Sequence, residues 1–162
     1  MSLEKAPVLF TLAETLHHFD QGRKLFREYA STLGFGLEYQ DFEAELAAVE
    51  KKYGPPEGRL VLCQLKDSGE AIGCVAVRKL TPETAELKRL YIQPPFRALK
   101  LGKQLLERAL EQAIGLGYKR VRLDTVADMH AAIGLYQRHG FYEIPPYYPT
   151  PIPNTVFMEK EL

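Results

Sequence analysis

The sequence predicts a mixed α/β domain, an antiparallel half followed by a strand–helix–strand crossover. Three observations carry this prediction. Three apolar runs of strand character follow one another between residues 60 and 92, separated only by short turn signals. A long amphipathic stretch then divides the third run from an alternating run at 121–125, and a crossover of that kind sets two strands side by side in parallel. The chain is 162 residues long, the size of one domain around one core, so residues 1–162 are read as a single domain.

The elements follow in order. Val8 to Thr11 reads as a short strand. Residues 13–32 place Leu16, Phe19, Leu25, Phe26 and Tyr29 at helical spacing, with a break expected near Gly22. Gly34 and Gly36 punctuate a loop. A second helix is expected from Gln40 to Lys52, with Phe42, Leu46 and Val49 on one face, stopped by Gly54, Pro55, Pro56 and Gly58. Strands follow at Leu60–Leu65, Ala71–Leu80 and Ala85–Ile92, with turns at Asp67-Ser68-Gly69 and Thr81-Pro82. From Leu99 to Leu116 runs a helix with a stripe of Leu101, Leu105, Ala109, Ala113 and Leu116, thickened by Leu106, Leu110 and Ile114. Val121, Leu123 and Thr125 alternate with Arg120, Arg122 and Asp124, the pattern of a half-buried strand. A short helix over Met129–Arg138 is stopped by Gly140. A strand near Phe141–Ile144, a Pro-rich loop and a strand over Thr155–Glu161 complete the chain. The sum is a mostly antiparallel mixed sheet of about seven strands with about four helices.

Composition narrows the function. Lys and Arg number 21 and Asp and Glu number 21, so the net charge is zero, which argues against a charge-driven grip on nucleic acid. No apolar run approaches the roughly 18 residues of a membrane span. The start MSLEKAPVLF lacks a basic stretch followed by a long apolar one, so a cytoplasmic protein is expected. Cys63 and Cys74 stand in apolar runs without metal-ligand spacing and read as buried free thiols. No metal constellation is present in the sequence.

The segment LYIQPPFRALKLGKQLL, residues 90–106, leads from a strand through a short loop into a helix. Unpaired N–H groups and the helix dipole make such a helix start an anion site. Arg97, Lys100 and Lys103 add positive charge, and Gly102 permits close backbone approach to a phosphate. Read alone, the signal is weak, and the alternative for the three cations is a solvated helix start. The segment DMHAAIGLYQRHGF, residues 128–141, places Ala132, Ile133 and Tyr136 on one side of a short helix before Gly140 and Phe141.

Together the two segments resemble the GNAT N-acetyltransferase superfamily. The matches are Leu90, Tyr91, Ile92, Pro94, Arg97 and Gly102, then Ala132, Leu135, Tyr136, Gly140 and Phe141. The resemblance covers residues 59–162 in motif and the whole chain in element order. It implies the GNAT acyl-CoA N-acyltransferase fold and acetyl-CoA as acetyl donor, transferred directly in a ternary complex to a primary amine. By the same resemblance the cofactor lies on Leu90, Tyr91 and Ile92, with its pyrophosphate on Arg97, Ala98, Leu99, Lys100, Leu101, Gly102 and Lys103. Ala98 and Lys100 depart from the family's glycines; side chains fit there if φ is negative, and the Lys100 ammonium would meet phosphate as a point charge. Tyr136 matches the tyrosine that protonates the departing thiolate, against the alternative of a core aromatic. Glu86 is the candidate base, against the alternative of an exposed strand residue, with His130 as a further candidate.

The acceptor is expected between the loop at Leu33–Tyr39 and the EIPPYY segment, walled by Phe35, Tyr39, Tyr147 and Tyr148. Arg89 and Lys88 are either surface charges or partners for a substrate carboxylate. A small amine or amino acid is the expected acceptor, with protein N-termini second. A domain that binds acyl-CoA without turnover is the other reading, and homodimers are common in the family.

Overall fold

The computed structural model describes residues 7–33, 36–37 and 41–162. Its frame is one sheet built from β1 (Val8–Leu12), β2 (Arg59–Leu65), β3 (Ala71–Thr81), β4 (Thr84–Ile92), β5 (Arg120–Val126), β6 (Tyr142–Ile144) and β7 (Thr155–Glu161). The seven strands lie in the order β1-β2-β3-β4-β5-β7-β6. Strands β1 to β4 form an antiparallel meander, as the short turns require. The crossover makes β4 and β5 parallel neighbours, and β7 enters between β5 and β6.

Period-two alternation gives each strand two faces, and a helix covers each. Val61, Cys63, Val75, Val77, Ala85, Leu87, Val121 and Leu123 join a core beneath α4 (Leu101–Gly115). Helix α4 contributes Leu101, Leu105, Leu106, Ala109, Leu110 and Ala113 to that core; of the rest of the expected stripe, Leu116 follows the helix and is half-buried, and Ile114 is 59% exposed. The opposite face of β2 and β3, with Leu60, Leu62, Cys74 and Ala76, packs under α1 (Leu16–Thr32) through Phe19, Leu25 and Phe26. Both cysteines are buried free thiols, and burial pushes the Cys63 pKa up to about 11.

Three local expectations change. Helix α1 does not break at Gly22: a Cβ there would stand 2.5 Å from Leu60 Cδ2, so the glycine admits a close strand beneath an intact helix. The expected helix 40–52 is two, α2 (Phe42–Ala47) and α3 (Val49–Lys52), parted at Ala48. There Arg23 Nε donates to the Leu46 carbonyl at 2.8 Å, satisfying an acceptor that a continuous helix would have used. The helix expected from Leu99 begins at Leu101, after a 3₁₀ segment over Pro94–Leu99. With α5 (His130–Arg138) the described residues hold five α-helices, the expected four with the second one divided. No helix among them is long and apolar enough to cross a membrane.

Candidate active site

Strands β4 and β5 pair only at Thr84–Arg120, Ala85–Val121 and Glu86–Arg122. Beyond Glu86 they diverge. The cause lies on the other side of β4, where Cys74 faces Tyr91 but Ala76 faces Lys88. Val75 alone therefore spans Arg89 and Leu90, a β-bulge with Arg89 in the left-handed region at φ 61°. A bulge re-aims its strand and ends pairing, and here it opens a V. A cavity of about 740 Å³ fills the V, with residues 87–92 on one wall and 123–126 on the other. Gly102, Leu135 and Tyr136 close one side, and Tyr29 of α1 and Leu33 just after it the other.

Five of the ten residues expected to hold the cofactor line this cavity: Leu90, Tyr91, Ile92, Arg97 and Gly102. Leu99 and Leu101 pack into the core instead, while Ala98, Lys100 and Lys103 are exposed around the start of α4. Arg97 bends back, its Nε donating to the Ile92 carbonyl at 2.9 Å and its guanidinium 5.8 Å from the centre of the Tyr91 ring. Lys100 has φ 57°, so the expectation of a negative φ there is corrected. The turn from the 3₁₀ segment into α4 needs a left-handed residue, and a lysine occupies it. Lys100 makes no side-chain cap, so the first N–H groups of α4 are left for another partner. A Cβ at Gly102 would meet only Leu135 Cδ2, at 3.9 Å. The room it would take belongs to the cavity. A helix start with free amides, three cations and no acid between residues 94 and 106, and a glycine on the cavity wall fit a pyrophosphate.

Tyr136 is 6% exposed, with its ring 5.6 Å from that of Phe141. It belongs to the core and also lines the cavity. Burial, with smaller contributions from Tyr29 and Asp124, raises its pKa well above the ordinary tyrosine value, so the phenol keeps its proton.

Glu86 is not exposed, and it does not line the cavity. Its Oε1 accepts from Arg78 Nε at 2.9 Å and its Oε2 from the Tyr147 hydroxyl at 2.7 Å. Tyr148 donates to Asp124 Oδ2, and both tyrosine rings pack edge-on against Phe157, with centroids at 5.1 and 5.2 Å. Tyr147 and Tyr148 therefore are not cavity walls. They fasten the Pro-rich loop to one acid on β4 and one on β5. Burial first, then the Glu86 charge and hydrogen bond, raise the Tyr147 pKa far above its usual value.

Arg89 does not offer its fork to the cavity. Its Nε donates to Glu45 Oε2 and its Nη2 to Glu45 Oε1, each at 2.9 Å, and both residues are buried. Burial opposes the charge of each, but their mutual attraction outweighs it, holding the Glu45 carboxyl below its ordinary value and Arg89 above. Lys88 lines the cavity, and burial lowers its pKa against the pull of Glu86 and Asp124. His130 lines the cavity at its mouth. Phe35 and Tyr39 lie outside the described residues.

Sequence reasoning missed Asp124 as a site residue. It lines the cavity on the wall facing β4, where alternation along β5 puts it opposite the buried Leu123. The alternation that revealed β5 already carried that signal. A second cavity of about 700 Å³ shares Thr32, Leu33, Val126, Asp128, Met129 and His130 with the first and extends to Ile152, Pro153 and Asn154.

The chain is similar to known acetyltransferases. Residues 21–141 match the model of the acetyltransferase (GNAT) family. An N-acetyltransferase of Schizosaccharomyces pombe is 40% identical over 144 residues, covering 88% of either chain. An acetyltransferase from Streptococcus agalactiae shares the fold with a TM-score of 0.77 at 22% identity, over 96% of this chain and 98% of the other. A GNAT acetyltransferase from Elizabethkingia anophelis with acetyl-CoA bound superposes with a TM-score of 0.66 at 20% identity, over 98% of this chain and all of the other.

Proposed function

The chain belongs to the acetyltransferase (GNAT) family and is an acetyl-CoA-dependent acetyltransferase, and on that premise we propose that it acetylates the primary amine of a small molecule or amino acid by direct transfer within a ternary complex. The observation that carries this reading is the single cleft that collects the splayed backbone at Leu90–Ile92, the start of α4, the Tyr136 phenol and the Asp124 carboxylate. Bound acetyl-CoA supplies the acetyl group and a thiolate leaving group. Leu90, Tyr91 and Ile92 would hold the arm that carries it. The N–H groups opening α4, with Arg97, Lys100 and Lys103 around them, would hold its phosphates.

The remaining steps fall to the protein's side chains. Asp124 takes a proton from the incoming ammonium, leaving a neutral amine to form the new C–N bond. Tyr136 gives its proton to the sulfur as the C–S bond breaks and regains one from the nitrogen of the new C–N bond, so that a neutral amide and a thiol leave. Its raised pKa keeps the phenol protonated before the reaction begins. Asp124 serves better as the base than Glu86, because Glu86 is turned from the cavity and engaged by Arg78 and Tyr147. Lys88 gives the cavity a cation that suits the carboxylate of an amino acid acceptor.

The test is thiol release from acetyl-CoA with a panel of small amines, free amino acids and short peptides. Release that requires a free amine, fastest with small acceptors, is the expected result. Activity confined to peptides would move the acceptor class to protein N-termini. Thiol release that no member of the panel accelerates would remove the amine-transfer reading.

A further inference from the structure

A buried ion pair sits directly behind the bulge that opens the cleft. Arg89 is the bulge residue itself, in the left-handed region at φ 61°. Arginine has a Cβ and avoids that region, which glycine or asparagine fill more readily. An arginine is held there only where its surroundings over-determine it. The surroundings are specific. Glu45 of α2 grips the guanidinium by two parallel bonds of 2.9 Å, the planar geometry that arginine and a carboxylate share. The rings of Phe42 and Tyr29 flank the guanidinium, 5.5 and 5.8 Å from it. The Arg89 carbonyl, displaced by the bulge, accepts from Cys74 Sγ at 3.3 Å.

The geometry points to Glu45 as a positioning residue for acetyl transfer. Through Arg89 it locks the bulge, and so sets the direction of the Leu90–Ile92 backbone against the reacting carbonyl. This rests on the reading above, in which that backbone faces the acetyl end of the cofactor. The fork is what fixes the conformation. A lysine at 89 would keep the charge and lose the two-point grip. A glycine at 89 would take the same φ without any grip. The pair also ties α2 to the strand that binds the thioester, so that helix shares one fixed point with the cleft.

The experiment uses acetyl-CoA labelled with ¹³C at the acetyl carbonyl and reads its NMR shift on binding, so no acceptor is needed. In the wild type the carbonyl signal should move from its free position as the backbone engages it. In Glu45→Gln and Arg89→Lys it should return at least halfway to the free position, with the affinity for CoA itself within about threefold of wild type. A wild-type shift retained in Glu45→Gln would overturn the role of the pair alone. A wild type that binds with no carbonyl shift would overturn the placement of the thioester as well. Should the single variants unfold, R89G/E45Q and R89A/E45Q remove both charges together and decide the matter. The glycine pair should keep most of the bound shift and the alanine pair should lose it; identical shifts in the two would overturn the proposal.

Discussion

The two walls of the cleft are built in different ways. The wall proposed for the cofactor is local: Leu90, Tyr91, Ile92, Arg97 and Gly102 fall within thirteen consecutive positions, and it presents backbone, apolar surface and the start of α4. The side proposed for the acceptor is assembled from distant parts of the chain by side chains. Tyr147 reaches Glu86 across 61 positions and Tyr148 reaches Asp124 across 24. The lesson is one of chemistry. A pyrophosphate and a pantetheine arm are the same in every reaction of this kind, and main-chain amides suffice to hold them. An acceptor is particular, and only placed side chains discriminate among acceptors.

The sharpest way to break this comparison is Asp124→Asn. If the acceptor side carries the proton transfer, turnover should fall about 10²–10⁴-fold, while acetyl-CoA affinity by calorimetry stays within about threefold. Equal turnover would leave the acceptor wall without its base. Tyr136→Phe probes the boundary between the walls. It should lower turnover by about ten- to a hundredfold, again with affinity for acetyl-CoA nearly unchanged; activity equal to wild type would return Tyr136 to a purely structural role. Gly102→Val acts on the cofactor wall alone. The branched side chain enters the cavity where a Cβ now has only Leu135 nearby. Acetyl-CoA should bind about tenfold more weakly, roughly 1.4 kcal/mol, and unchanged affinity would move the pyrophosphate elsewhere. Tyr147→Phe gives the smallest effect on rate. It leaves one oxygen of the buried Glu86 without its donor, a cost of about 1–3 kcal/mol in stability, read as a lower Tm. Turnover should change less than about threefold; a loss as large as that of Asp124→Asn would bring Glu86 back as the base.

Much of the fold was legible because its signals are short-range. Alternation along 121–125 marked β5, and the turns at Asp67-Ser68-Gly69 and Thr81-Pro82 ordered the meander. The local errors share one cause, which is tertiary partners deciding a local conformation. Gly22 looks like a helix breaker until Leu60 is seen pressed against it. Residues 40–52 look like one helix until Arg23 takes the Leu46 carbonyl. Lys100 was expected at negative φ, but the turn it occupies required the left-handed region.

The sequence by itself determined the strand order of the meander, the crossover, the family and the cofactor, because each is written in periodicities and motifs a few residues wide. Only the tertiary structure decided which acid faces the cavity. Glu86 and Asp124 stand on neighbouring strands, and both are bonded by a tyrosine of the Pro-rich loop. What separates them is the bulge at Arg89. It ends the β4–β5 pairing just after Glu86, leaving that residue sealed between paired strands and Asp124 on an open wall. A bulge arises from the mismatch between two paired strands and from a buried partner 44 positions away. Neither can be read from the residues of one strand alone.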